Sequence, residues 1–174
     1  MNTKLTYAVI LTVAQAVFSL LMFLFGFQTD KMAAGQNLQW LGLIISIVIL
    51  WLGIKAVREE SPDKSLTYGQ GVGAGTLISL YSGLLSAVYT YIHFKFINTN
   101  FFEYQQEFMR SKWAEKGMTD AQMDAAANMM KKFSGPGITS IMVPIMAVIM
   151  GLILSLIISA ILKRAPAVDA PPAA

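Results

Sequence analysis

The sequence predicts an all-α integral membrane protein with four transmembrane helices and a helical hairpin between spans three and four. Three observations carry this prediction. Of 174 residues, 55% are apolar and only 13% charged, about half the ~25% charge of soluble domains. Four stretches, about 5–27, 38–55, 71–95 and 138–162, have the length and apolarity to cross a ~30 Å hydrocarbon core, which takes about 20 residues. Between the last two, segment 98–134 is instead rich in Glu, Gln, Ala, Met and Lys, which favour helix. Residues 1–164 therefore read as one membrane domain. The Pro/Ala-rich tail 165–174, "APAVDAPPAA" with its flank, reads as disordered.

The first span, 5–27, carries no charge. It exceeds the ~7–15-residue core of a signal peptide, and "FGFQTD" offers no small-x-small cleavage pattern. A soluble core helix would show a polar face at a period of 3.6. "AVILTVAQAVFSLLMFLFGF" is apolar all round apart from Thr12, Gln15 and Ser19, so it reads as a retained span. The second span is uncharged up to Lys55, and the fourth is uncharged up to Lys163-Arg164. An even number of spans puts both termini on one side. Short segments on that side hold Lys4, Lys55, Arg58, Lys64, Lys163 and Arg164, against Lys31 alone in the short loop opposite. The bias of basic residues toward the cytoplasm then predicts cytoplasmic termini and an outward hairpin. Lys95, Arg110, Lys112, Lys116, Lys131 and Lys132 in the long loop weigh against that orientation.

Within the hairpin, Phe101, Tyr104, Phe108 and Lys112 fall at helical spacing, with Phe102 and Trp113 widening the apolar side. Lys116-Gly117 reads as a stop. Thr119 with Gln122 three residues on forms a capping box that restarts the helix. Met118, Ala125, Ala126, Met129, Met130 and Phe133 are expected on one face of the second helix. Clustered Met and Phe make adaptable contacts, so Phe101, Phe108, Trp113, Met129, Met130 and Phe133 are the candidate partner surface. The competing reading packs both stripes on each other and on the membrane surface, where Lys131 and Lys132 suit lipid head groups.

Catalytic and metal-binding groups are sparse. One histidine and no cysteine argue against a transition-metal site, and no cofactor is expected. His93 lies among Tyr89, Tyr91 and Phe94, aromatics expected at a membrane boundary, and reads as an interfacial hydrogen-bonding residue before a proton relay. Glu59, Glu60 and Asp63 sit beside Lys55, Arg58 and Lys64, a solvated, salt-bridged loop. Glu103, Glu107, Arg110 and Glu115 suggest opposite-charge pairs at i, i+3. With no nucleophile–base pair, the chain is not expected to be an enzyme. A net charge of +3 gives no nucleic-acid footprint.

"GQGVGA", residues 69–74, formally matches a variant of the dinucleotide fingerprint. That reading needs a preceding strand and an acid about 20 residues on; a charged loop precedes it and the next acid is Glu103. No nucleotide partner is expected. On a helix, residues four apart share a face, and Gly71, Gly75, Ser79, Gly83 and Ala87 make a small-x-x-x-small ladder of the kind that lets membrane helices approach closely. Gly69 and Gly73 begin an adjacent stripe. The helix opposite could belong to the same chain or to a second copy. Gln15, Ser46, Ser79, Ser82, Ser86, Thr90, Ser155 and Ser159 are expected to hydrogen-bond across helices or to line a polar path.

The motifs "LGIKAVREE", "SLTYGQGVGAGTLISLYSGLLSAVYTYIHFKFIN", "GMTDAQM" and "IISAILKR", in that order and spacing, resemble a family of small bacterial four-span membrane proteins known as domain of unknown function 4199. The resemblance covers nearly the whole chain. It implies a four-helix membrane topology and carries no catalytic residue, substrate or partner. The expected function is thus a non-enzymatic multi-pass protein of the bacterial inner membrane, a small scaffold or accessory subunit whose partners are the lipid bilayer and a homodimer mate or other membrane protein. The alternative is an oligomeric small-solute or ion transport component.

Overall fold

A computed structural model describes residues 2–165, and the expected tail disorder beyond Ala165 lies outside the described residues. Six α-helices follow in order: α1 (Thr3–Leu24), α2 (Met32–Glu59), α3 (Tyr68–Ile92), α4 (Phe101–Glu115), α5 (Asp120–Lys132) and α6 (Pro136–Leu162). A π-helical turn, His93–Ile97, extends α3. Helices α1, α2, α3 with its π-turn, and α6 are each long and apolar enough to cross a membrane. Their outer faces carry large apolar side chains: Val13 is 55% exposed, Trp40 68% and Ile141 64%. Soluble surfaces rarely carry contiguous apolar area on this scale, and lipid is the solvent that suits it. The molecule is a transmembrane helical bundle.

The helices run past the apolar windows that reveal them. Helix α2 starts at Met32, not near residue 38, and ends at Glu59, beyond Lys55. Its 28 residues span about 42 Å at ~1.5 Å per residue, more than the hydrocarbon core. Hydropathy marks only the lipid-embedded part, while backbone hydrogen bonding continues through "MAAGQN" and "KAVRE". The first helix stops at Leu24, three residues short of the expected end, because Gly26 takes φ +79°, a conformation glycine adopts without steric cost. The turn after it, 25–31, is still shorter than the loop expected over 28–37, because α2 begins early, at Met32.

Helix α3 is the hub. It packs most extensively on α6 and also meets α1 and α2. At the end that holds both termini, Ala8, Leu50, Ile54, Leu66, Ile78, Ile158 and Leu162 form the buried apolar core. That end is tied further by the Thr3 hydroxyl donating to Glu60. A short antiparallel bridge, in which the amides of Leu66 and Arg164 each donate to the other's carbonyl at 2.9 Å, closes α3 against the end of α6. Glu59 is paired with Arg58 at 2.8 Å and Lys64 at 3.7 Å, the salt-bridged loop that the charges suggest.

At the opposite end the hairpin departs from α3. The capping box at Thr119 forms: its amide donates to Gln122 Oε1 at 3.0 Å and its hydroxyl accepts from the Gln122 amide at 3.4 Å. Arg110 pairs across the hairpin with Asp124 at 2.8 Å, rather than at i, i+3 within α4, and Lys112 pairs with Glu115. Phe94 stacks on Phe101 with centroids 4.4 Å apart, anchoring α4 to the π-turn.

Candidate functional site

The glycine-rich segment begins inside a helix. Thr67 and Gln70 form a capping box in which the Thr67 amide donates to Gln70 Oε1 (2.9 Å) and the Gln70 amide to Thr67 Oγ1 (3.2 Å). Gly69 and Gly71 therefore lie in the first turn of α3, and their amides are not presented on a phosphate-binding loop after a strand.

Four members of the ladder stand against α6. A Cβ added at Gly71 would lie 2.8 Å from Ser159 Cβ, one at Gly75 2.8 Å from Ser155 Cβ, and one at Gly83 2.8 Å from Pro144 Cα. Reciprocally, a Cβ on Gly151 of α6 would collide with the side chain of Ser79. Serine on one helix thus faces glycine on the other from Gly71 to Ser79, and Gly83 faces Pro144 and Ala147. Ala87 stands beyond this contact, half-buried in an open apolar groove with Tyr91, Ile141 and Pro144. The adjacent stripe differs: Gly69 and Gly73 are exposed and have nothing within 4 Å of an added Cβ. The α6 residues Ala147, Gly151, Ser155 and Ser159 form a matching four-residue repeat, visible in the sequence though not anticipated above.

The span hydroxyls behave in two ways. Thr12 and Ser82 hydroxyls lie 3.1 Å apart between α1 and α3. Gln15 Nε2 donates to the Gly42 carbonyl (2.7 Å) and to Ser46 Oγ (2.9 Å), joining α1 to α2. By contrast, Ser79, Ser155 and Ser159 are buried with hydroxyls that have no hydrogen-bond partner among the described residues. They stand at the α3–α6 contact without the cross-helix hydrogen bonds expected of them, and Ser79 is also among the residues around a cavity between the spans.

Above the apolar core the four spans line a half-open cavity of about 370 Å³, with Gln15, Gln39, Ser46, Ser79, Ser82 and Ser86 around it. Nearer the hairpin, a second cavity of about 210 Å³ is bounded by Ser19, Gln28, Gln36 and the α4 residues Gln105 and Phe108. Gln15, Phe18 and Gln39 line both. No charged residue lines either one. Among the described residues no cluster of three or more His, Asp or Glu side chains could hold a metal ion.

Beside the second cavity lies a buried polar network. His93 is 1% exposed, buried inside the protein, and it hydrogen-bonds as expected. Its Nε2 is 3.0 Å from Gln28 Oε1 and its Nδ1 3.1 Å from the Tyr89 hydroxyl. Asn98 Nδ2 donates to the same Gln28 oxygen (3.2 Å), Gln28 Nε2 to Ser19 Oγ (3.1 Å), and the Tyr89 hydroxyl lies 3.0 Å from the Ala16 carbonyl. The π-turn supplies Asn98, whose amide closes that turn by donating to the His93 carbonyl at 2.7 Å. The network fixes α1, the turn after it and the end of α3 to one another.

The candidate partner surface does not form one face. Phe101, Phe108, Trp113 and Met130 are half-buried, whereas Met129 and Phe133 are 65% and 69% exposed. In α5 the buried residues are Met123 and Ala127, so the packed face is rotated from the one expected through Ala125, Ala126 and Met129. Tyr104 of α4 meets the loop after α1 at Asp30, whose carboxylate pushes the phenol above the usual tyrosine range.

Comparison with curated proteins and with solved structures returns no match. The family model described as "Protein of unknown function (DUF4199)" matches residues 6–164. That stretch runs from the first turns of α1 to the Leu66–Arg164 bridge, so all four spans, the hairpin and the polar cavities lie within it, and the chain belongs to the DUF4199 family.

Proposed function

We propose that this protein is a non-enzymatic, multi-pass component of the bacterial inner membrane, a small scaffold or accessory subunit that presents its hairpin to partners. The observation that carries this reading is the hairpin's second helix. Helix α5 packs chiefly on α4, and it leaves Met129 and Phe133 largely exposed. The helix-packing role of Gly71, Gly75, Ser79, Gly83 and Ala87 belongs to the same proposal, and the closeness of the first four to α6 supports packing within one chain. The basic residues of the short segments at the termini end support cytoplasmic termini. Native mass spectrometry of the protein released from its own membrane tests the role. A second polypeptide, either another copy or another membrane protein, is expected in stoichiometric amount and is lost on joint Met129→Ser and Phe133→Ser substitution. Monomer alone, or an assembly indifferent to those substitutions, would refute it.

A second reading, a small-solute transport component, is favoured by the uncharged polar cavities. Their lack of charged lining fits a neutral solute better than an ion. Flux into proteoliposomes that is abolished by Gly83→Leu, in protein that still folds, would support it over the scaffold.

A further inference from the structure

We infer that the cavity among α1, α2, α3 and α6 is a binding site for a small uncharged solute bearing hydroxyl or amide groups, entered from the hairpin end beneath α4. Its volume of about 370 Å³ is many times the ~30 Å³ of one water and lies within the ~300–1,000 Å³ range of small-molecule sites. The wall holds hydrogen-bonding side chains in fixed positions. Both amide hydrogens of Gln15 are used, on Gly42 and Ser46, which leaves Gln15 Oε1 held in place as an acceptor with no partner among the described residues. Gln39, Ser82 and Ser86 add further polar side chains to the same wall.

These atoms select among occupants. A lipid chain would leave Gln15 Oε1 unpaired, at about 1–3 kcal/mol for a buried group. An ion would enter a lipid-embedded space with no counter-charge in its wall, which is unfavourable. A neutral molecule carrying both donors and acceptors satisfies the wall on both counts. The route follows from the packing. Below the cavity Leu50, Ile54 and Ile78 close the bundle. Above it, Gln15, Phe18 and Gln39 separate it from the second cavity, whose roof is α4.

The site deepens the transport reading, but its test is independent of flux. The chain has no cysteine, so Ser46→Cys and Ser86→Cys in the full-length protein, in oriented vesicles, each give one thiol in the wall. A membrane-impermeant thiol reagent is expected to label both from the side that labels Lys116→Cys on the hairpin, and not from the side that labels Asp63→Cys. Val13→Cys, facing lipid, stays unlabelled. Glycerol, xylitol or acetamide then slows labelling about threefold at a concentration near twice its Kd, by mass action, while acetate has no effect. In the Gln15→Leu background labelling persists and the protection disappears. Failure of both wall thiols to label, in variants that elute as the parent does, would overturn the site. Labelling that no neutral solute slows would reduce it to a water-filled space and overturn the ligand. Protection without flux would leave the site standing and refute only transport.

Discussion

Gly75→Ala is the perturbation that most directly reads the α3–α6 contact. The new methyl would lie 2.8 Å from Ser155 Cβ and 2.9 Å from Ile54 Cδ1, well inside the ~3.5–4.0 Å of favourable carbon contacts. Overpacking of this kind costs about 1–3 kcal/mol. Alanine also gains up to ~1 kcal/mol of helix propensity over glycine, which would mask part of the effect. Gly73→Ala removes that ambiguity, because it makes the same propensity gain two residues away, where an added Cβ meets nothing within 4 Å. The difference between the two variants therefore isolates the contact, at about 1–3 kcal/mol. Reversible SDS unfolding in mixed micelles, followed by tryptophan fluorescence, measures it. Ser155→Gly in the Gly75→Ala background is expected to recover most of the loss, since Ile54 Cδ1 is the end of a flexible side chain and can yield. Equal stability of the two alanine variants, or no recovery in the double variant, would mean that Gly75 and Ser155 are not in contact.

Three further outcomes follow from the hairpin end. His93→Leu removes one of two partners from Gln28 Oε1 and from the Tyr89 hydroxyl, leaving Asn98 and the Ala16 carbonyl, and is expected to cost about 0.5–1.5 kcal/mol for each lost hydrogen bond in the same unfolding assay; wild-type stability would contradict the network. Thr119→Ala removes the α5 cap, at about 0.5–2 kcal/mol, and is read as faster amide exchange confined to the first turn of α5. Asp30→Asn removes the carboxylate that raises the Tyr104 phenol, so ultraviolet titration is expected to show one tyrosine ionising at lower pH than in the parent. An unchanged titration would separate the loop from α4.

Much of the architecture is legible because lipid imposes simple rules. Uninterrupted apolar length marks α1 and α6, and Thr119 with Gln122 marks the restart of α5. The Thr67–Gln70 box is equally legible and decides against a phosphate loop, since it puts Gly69 and Gly71 inside a helix. The remainder depends on what stands opposite. Gly73 and Gly75 are indistinguishable by type and nearly so by spacing; only the phase of α3 against α6 makes one crowded and the other open. His93 sits in an aromatic run that suggests an interface, and it is buried because Gln28, distant in sequence, folds over it. Met123, not Met129, turns inward, because the phase of α5 depends on how it lies on α4. Polar cavities assembled from single side chains of four spans leave no local motif at all.

The central claim is that the small-residue face of the third span is occupied by the fourth span of the same chain. Oxidative cross-linking of a Leu66→Cys, Arg164→Cys variant in native membranes tests it most directly. The two residues exchange both backbone hydrogen bonds, a pairing with Cα atoms about 5.5 Å apart, inside the range a disulfide spans. An intramolecular bond is expected, seen as a faster-migrating monomer that reverts on reduction. A disulfide-linked dimer, or no cross-link in folded protein, would contradict it.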